Sequence, residues 1–307
     1  MRRNKNKVIV GVLLIAALVG VLIIYSGKTT HSGMGQKLHI VAGENFWGSL
    51  AAQLGGSHVQ VTSIVSDPNA DPHEYETSTA TARIFAGAKY VVLNGAGYDN
   101  WGNKLLGANP IAGRQVLTVA TLLSKRDGDN PHFWYNPAYV NATVAQMDKD
   151  LIALDPANAA YYKQQLQQVQ AALSGYQNRI ASVKQQFAGT KVAATEDIFA
   201  YLASAAGLDL ISPPAFIQAV AEGNDPPTAS VAIFQQQLAG AQPKVLVYNQ
   251  QTVTPLTDSI KKLAAEQGIP VVGVTETIQP PDASFQDWMN AQLIALENAL
   301  NTGKLEQ

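Results

Sequence analysis

Two of the chain's five histidines follow proline in closely similar tripeptides. These are Asp71-Pro72-His73 and Asn130-Pro131-His132, and each runs into a segment containing aromatic residues. A proline fixes its own φ angle and moves the residue before it toward an extended conformation, so a stiff backbone aims the imidazole that follows. Imidazoles are the commonest metal ligands in proteins. A single loop histidine is more often a surface or structural residue, but two in parallel contexts favour a metal site.

The composition removes several classes of site and partner. The chain has no cysteine, which excludes thiolate zinc sites, cysteine nucleophiles and iron–sulfur clusters, and which is compatible with export. The formal net charge of −2 provides no basic field, so we expect no nucleic-acid partner. A length of 307 residues is sufficient for two lobes, each with its own core.

The first residues are typical of an export segment. Four basic residues precede an almost wholly apolar run from Val8 to Tyr25, which as a helix would span roughly 27 Å, about the thickness of a bilayer core. The positive flank predicts that the remainder of the chain lies outside the cytoplasm. The run is long, and no clear small-x-small cleavage site follows, so we favour an uncleaved membrane anchor over a cleaved signal peptide. Residues 26–36 are small and polar and predict a flexible tether.

Strand and helix patterns alternate on both sides of a long helical region, which predicts α/β lobes with mainly parallel sheets flanked by helices. Thirty residues rich in Ala, Gln, Leu and Lys, Ala157 to Gln186, predict one long rigid helix that joins the lobes. We therefore divide the chain into an anchor and tether (1–36), a first metal-binding lobe (37–150), the linking helix (151–189) and a second metal-binding lobe (190–307). The predicted strands are 38–42, 59–65, 90–93, 191–194, 245–248 and 271–274.

Ligands of open α/β lobes gather at the carboxyl ends of the strands. His73 comes after the strand that ends near Val65, and His132 follows a polar loop in the same lobe. Glu196 comes two residues after the predicted strand 191–194. These three residues are therefore candidates for one binding cleft. Glu196 can also be interpreted as an acid that stabilises the dipole at a helix N-terminus.

At this point three motifs carry a family resemblance. Asp71-Pro72-His73-Glu74-Tyr75-Glu76, Asn130-Pro131-His132-Phe133-Trp134 and the segment Thr195 to Leu202 resemble, in order and spacing, the zinc- and manganese-binding solute-binding proteins of bacterial ABC importers. The resemblance runs from about residue 37 to residue 300. It implies one metal ion between two α/β lobes, with His73 and His132 from the first lobe and Glu196 from the second as ligands.

The same resemblance implies a fourth carboxylate in the last loop before the closing helix. Asp282 is the candidate we favour, although its offset from Met289 differs from the family pattern and it could instead cap the helix. Glu276 is the poorer candidate, because it lies so close to the end of the preceding strand. Two neutral imidazoles and two carboxylates would neutralise a divalent cation and suit Zn²⁺ or Mn²⁺. A closed shell of four ligands leaves no position for an activated water, which argues against an enzyme.

The function implied by the resemblance is an extracytoplasmic receptor, periplasmic or on the cell surface, that passes Zn²⁺ or Mn²⁺ to an ABC permease. We expect a monomer, held at the membrane by the N-terminal segment or secreted after cleavage. One alternative is a metal-dependent hydrolase with Glu74 or Glu222 as general base, although the chain has neither a His-Glu-x-x-His nor a Gly-x-Ser-x-Gly motif. Another is a surface adhesin in which the metal is structural.

Overall fold

A computed structural model describes residues 37–67 and 72–302 of the chain, apart from the side chain of Glu74. The predicted anchor and tether and the residue Asp71 lie outside the described residues. Within the described ranges, no helix is both long enough and apolar enough to cross a membrane.

The first lobe, residues 38–136, is built on a four-stranded parallel sheet of order β2-β1-β3-β4. The two central strands are almost continuous apolar runs, because helices cover both of their faces. The loops at the carboxyl ends of the strands face the second lobe. The strands are β1 (Leu38–Glu44), β2 (Val59–Val65), β3 (Tyr90–Leu93) and β4 (Gln115–Thr118), and the helices are α1 (Asn45–Gly55), α2 (Thr79–Gly87), α3 (Asn100–Ala108) and α4 (Val119–Leu122).

Two helices follow, α5 (Pro137–Leu154) and the long α6 (Ala159–Phe187). A short 3₁₀ turn at Pro156–Asn158 separates them, since a proline cannot donate the hydrogen bond that a continuous helix needs. From Val169 onward, the buried side chains of α6 recur at alternating intervals of four and three residues, which gives one apolar stripe. The helix packs against α1, α5 and the last helix of the chain. The predicted long helix is confirmed.

The second lobe, residues 191–302, has another four-stranded parallel sheet, of order β6-β5-β7-β8. The predicted α/β class with two parallel sheets is therefore confirmed, although the short strands β4 and Asp209–Leu210 and the helices Asn100–Ala108, Val119–Leu122, Pro214–Ala221 and Thr228–Ala239 were not predicted. The strands are β5 (Lys191–Ala194), β6 (Asp209–Leu210), β7 (Leu246–Asn249) and β8 (Val271–Val274), and the helices are α7 (Ala200–Ala205), α8 (Pro214–Ala221), α9 (Thr228–Ala239), α10 (Pro255–Glu266) and α11 (Phe285–Thr302).

One apolar core runs through both lobes. It joins residues of β1 and β3 to residues of β5, β7 and β8, through the buried faces of α6 and α11. Polar contacts follow the same path: Tyr135 donates its hydroxyl to the carbonyl of Thr275 at 2.8 Å, and the backbone N–H of Ile278 donates to Asn45 Oδ1 at 3.1 Å. Separating the lobes would therefore expose apolar surface and break buried hydrogen bonds.

Two buried acids lie beneath the loop that follows β3. The carboxylate of Asp99 accepts hydrogen bonds from the backbone N–H groups of Asn94 at 2.6 Å and Gly95 at 2.7 Å, which fixes this loop. Glu44, the last residue of β1, is fully buried. Burial and the negative charge of Asp99 raise the pKa of Glu44 well above its usual value. We therefore expect Glu44 to be a neutral acid in the folded protein.

Replacing Glu44 by glutamine should remove a pH-dependent cost of folding. Above the usual glutamate pKa of about 4.3, the unfolded chain releases a proton that folded Glu44 retains, so stability falls as the pH rises toward the raised pKa. The gain in unfolding free energy of Glu44→Gln over wild type should therefore increase between pH 5 and pH 8, by up to about 1.4 kcal/mol per pH unit. Urea denaturation at several pH values measures it, with the exposed Glu266→Gln as control. A difference independent of pH would contradict the assignment.

A second prediction concerns the buried stripe of α6. Leu173 is fully buried at the middle of this helix, so Leu173→Ala should leave a cavity and lower the unfolding free energy by about 2–5 kcal/mol. The nearby Gln170→Ala, on the exposed face of the same helix, should change it by less than about 0.5 kcal/mol. Chemical denaturation of both variants without added metal provides the comparison, and equal effects would be evidence against α6 as the shared support of the two lobes.

Candidate metal centre

His73 lies on the short 3₁₀ turn Pro72–Glu74, after the carboxyl end of β2. Its side chain is 26 % exposed, and its Nε2 lies 3.4 Å from Oε2 of Glu276. The imidazole packs edge-on against the ring of Tyr98, with 4.7 Å between the ring centroids. The ring is therefore held at the boundary between the cleft and solvent.

His132 is fully buried and directly precedes the 3₁₀ turn Phe133–Tyr135. Its Nδ1 lies 2.9 Å from Asn130 Oδ1 and 3.0 Å from Asp197 Oδ1. Its Nε2 has no hydrogen-bond partner among the described residues and lies 3.9 Å from Oε2 of Glu276. A buried nitrogen without a partner destabilises the fold unless something binds it, so His132 Nε2 is available to a cation.

Glu276 follows β8 by two residues and is fully buried. One ligand atom from each of His73, His132 and Glu276 lies within 4.8 Å of the other two. The backbone of the Glu276 loop is held by a side-chain amide, because Gln251 Oε1 accepts from the N–H groups of Glu276 at 2.7 Å and Thr277 at 3.0 Å. The carboxylate is therefore presented by a fixed loop.

Glu196 lies two residues after β5 and is also buried. The amide nitrogen of Asn249, the last residue of β7, donates to Glu196 Oε1 at 2.8 Å and to Glu276 Oε1 at 2.6 Å. The backbone N–H of Gln251 donates to Asn249 Oδ1 at 3.0 Å, which fixes the orientation of the amide. Asn249 thus holds the two carboxylates side by side.

The pKa values of the two carboxylates are shifted in opposite directions in the metal-free protein. Burial raises the pKa of Glu196 well above its usual value, and the charge of Glu276 raises it further. Burial also acts on Glu276, but the charges and hydrogen bonds of His73, together with His132 and the Tyr98 hydroxyl, lower its pKa to about 2. Two neighbouring acids without a cation cannot both ionise easily, and the opposite shifts mean that Glu196 binds a proton more readily than Glu276 does.

Asp282 lies elsewhere. It is exposed on the turn before α11 and is not part of the cluster of His73, His132 and Glu276. It does not cap α11 either, because Ser284 Oγ accepts from the Asp287 N–H at 3.2 Å. The structure brings Glu276 to the position that we expected Asp282 to occupy. The reason is topological: a residue just after a parallel strand points into the crevice at the strand's carboxyl end.

Other polar residues near the centre have separate roles. Tyr98 donates its hydroxyl to Glu276 Oε2 at 2.6 Å across the boundary between the lobes. The Trp134 ring lies 5.2 Å from that of His132, whereas Tyr75 packs against Trp101 and Asn136 caps α5. Neither Tyr98 nor Asn249 was predicted from the sequence. Tyr98 follows a glycine-containing loop, and Asn249 lies at the end of a buried strand. These positions are the signals that could have indicated them.

A cavity of about 440 Å³ leads from His73 to solvent. Both lobes contribute to its wall, including the acidic residues Asp129, Asp197 and Glu222. The donor spacing behind it suits a cation: adjacent ligands of a tetrahedral ion with bonds of about 2.0–2.1 Å are roughly 3.3 Å apart. The measured separations between imidazole nitrogens and Glu276 Oε2, 3.4 and 3.9 Å, are close to this value.

Comparison with known proteins also indicates a metal-binding protein. Residues 40–299 match the sequence model of the family described as "ZnuA: Zinc-uptake complex component A periplasmic". The manganese-binding lipoprotein MntA of Halalkalibacterium halodurans is 27% identical over 216 residues, covering 66% of this chain and 68% of the relative. The iron ABC transporter substrate-binding lipoprotein MtsA of Streptococcus pyogenes serotype M1 is 22% identical over 276 residues, covering 84% and 86%.

Solved structures share the fold. The crystal structure of ZnuA superposes with a TM-score of 0.70 at 23% identity, covering 86% of this chain and 99% of the other. The solute-binding protein FpvC of Pseudomonas aeruginosa in complex with Mn²⁺ superposes with a TM-score of 0.72 at 18% identity, covering 87% and 100%. Because the family model matches most of its length, this chain belongs to the ZnuA family of metal-binding, ABC-transporter substrate-binding proteins.

Proposed function

We propose that this protein is an extracytoplasmic receptor that captures Zn²⁺ or Mn²⁺ between its two lobes and delivers it to an ABC permease. His73 and His132 would supply two imidazole nitrogens, and Glu196 and Glu276 two carboxylates. This donor set is neutral overall with a divalent ion, and mixed nitrogen and oxygen donors suit either metal. The names of the relatives, which include manganese and iron proteins, support a transported divalent metal.

The single observation that carries the proposal is the convergence of His73, His132 and Glu276 beside a second buried carboxylate. A hydrolase would need a general base near an open metal position. Glu222 is an exposed residue at the rim of the cavity, where it accepts a hydrogen bond from Gln218 at 2.9 Å. None of the relatives named above is an enzyme, which supports a binding role.

Removing His73 should abolish tight binding without unfolding the protein. His73→Ala deletes one metal ligand at a partly exposed position, so we expect affinity for Zn²⁺ and Mn²⁺ to fall at least about 100-fold while the metal-free variant keeps its unfolding midpoint. Competitive titration with a chromophoric chelator measures the affinity, and thermal unfolding measures the fold. The matched control is His58→Ala, whose ring packs against Tyr161 outside the cluster.

The outcome also separates the alternatives. If His73→Ala binds both metals as wild type does, the metal centre is wrongly assigned. If chelation unfolds the wild-type protein, the metal is structural and the receptor proposal fails. Delivery is tested in cells: a strain that lacks this protein should lose high-affinity uptake of the ion that the purified protein binds, and the His73→Ala gene should not restore it.

The fourth ligand has its own test. Glu276→Gln keeps the shape of the side chain but removes the charge at the cluster, so metal affinity should fall at least about 100-fold. Asp282→Asn makes the same chemical change on an exposed turn, and its dissociation constant should stay within about twofold of wild type. Isothermal titration of both variants compares them directly. The reverse order of effects would return the ligand role to Asp282.

A further inference from the structure

The amide of Asn130 joins the two lobes at the metal centre. Asn130 Oδ1 accepts from the backbone N–H of His132 at 2.9 Å and lies 2.9 Å from His132 Nδ1. Asn130 Nδ2 donates to the backbone carbonyl of Asp197 at 2.7 Å. Asp197 directly follows Glu196. One side chain thus connects an imidazole of the first lobe to the loop that carries a carboxylate of the second.

The orientation of this amide follows from its partners. A backbone N–H can only donate and a backbone carbonyl can only accept, so the oxygen of Asn130 must face His132 and its nitrogen must face Asp197. The same oxygen then faces His132 Nδ1, which must carry a proton to make the contact favourable. Asp197 Oδ1 also lies 3.0 Å from this nitrogen, although it makes no hydrogen bond within the described part of the chain. The lone pair of neutral His132 therefore lies on Nε2, the atom directed at Glu276.

We propose that Asn130 is a positioning residue that ties the two ligand loops together and thereby slows release of the bound metal ion. The inference rests on the proposed function for its effect on metal, but its structural part concerns the metal-free protein. Tyr201 strengthens the link, since its hydroxyl donates to the backbone carbonyl of Asn130 at 3.0 Å. Movement of the Glu196 loop away from His132 has to break both hydrogen bonds.

The substitution Asn130→Asp tests the hydrogen bond between the two loops without changing the tautomer of His132. The aspartate keeps an oxygen toward His132 but replaces the NH₂ donor by a second oxygen, which would face the Asp197 carbonyl and repel it. The added negative charge by itself should bind a cation more tightly and slow its release. We expect the opposite, an increase of about tenfold in the dissociation rates of Zn²⁺ and Mn²⁺, because one partly buried hydrogen bond is lost and one repulsion is added.

The experiment uses the full chain, with each ion loaded separately and chased with excess chelator in a stopped-flow instrument. Asn141→Asp, on the exposed face of α5, is the control for the substitution itself and should leave the rate unchanged. Tyr201→Phe removes only the second link and should raise the rate severalfold, which keeps the test available if Asn130→Asp folds poorly. Dissociation that is slowed or unchanged in both linkage variants would overturn the proposal.

Two measurements on the metal-free protein separate this inference from the proposed function. The ¹⁵N shifts of His132 at pH 8 should show a protonated Nδ1 in wild type and in Asn130→Asp. Deuterium exchange of the amides in residues 195–201 should be faster in Asn130→Asp than in wild type or Asn141→Asp. A protonated Nε2 in wild type, or unchanged exchange, would overturn the inference even if metal binds. If the protein binds neither ion while both results hold, the receptor proposal fails and the link between the loops stands.

Discussion

Two buried carboxylates, Glu196 and Glu276, donate no hydrogen bonds of their own when ionised and share one amide, Asn249. At an effective dielectric constant of about 20, two unit charges about 4 Å apart interact by about 4 kcal/mol. This repulsion determines which groups must surround the two carboxylates. In the metal-free protein it raises the pKa of Glu196 and is opposed by the donors around Glu276, which include the Tyr98 hydroxyl. A divalent ion would remove it more completely, because it attracts both carboxylates at once.

The α/β topology explains why these two acids lie close together. It also explains which site residues could be predicted from the sequence. His73, His132 and Glu196 could be proposed as site residues because each lies in a recognisable motif, and His73 and Glu196 also follow predicted strands. Glu276 was ranked below Asp282 because it is close to its strand, yet that closeness is what places it in the crevice. The final residues of β1 and β7, Glu44 and Asn249, follow the same rule. Acids and amides that end buried parallel strands are thus better candidates than loop acids farther along.

The elements that the sequence did not reveal have weak local patterns. β6 is only two residues long, and the first half of the edge strand β4 is exposed, so neither gives a clear apolar run. α3 contains two glycines in nine residues. Such segments take their structure from pairing and packing with distant parts of the chain, and local propensity carries little of that information. The strongly apolar central strands and the long α6 do not depend on such context, and they were predicted.

The continuous core limits how an ion could enter and leave the proposed metal centre. Wide separation of the lobes would break the hydrogen bond from Tyr135 to Thr275 and expose the aromatic surface that the lobes share. Hydrogen bonds to Gln251 and Asn130 hold the loops of Glu276 and His132, whereas His73 borders the cavity that opens to solvent. A path through His73 would disturb one partly exposed residue of the proposed centre before any buried one. If the proposed centre holds an ion, exchange that begins at His73 would therefore disrupt the fold least, and the Asn130 link would be broken last.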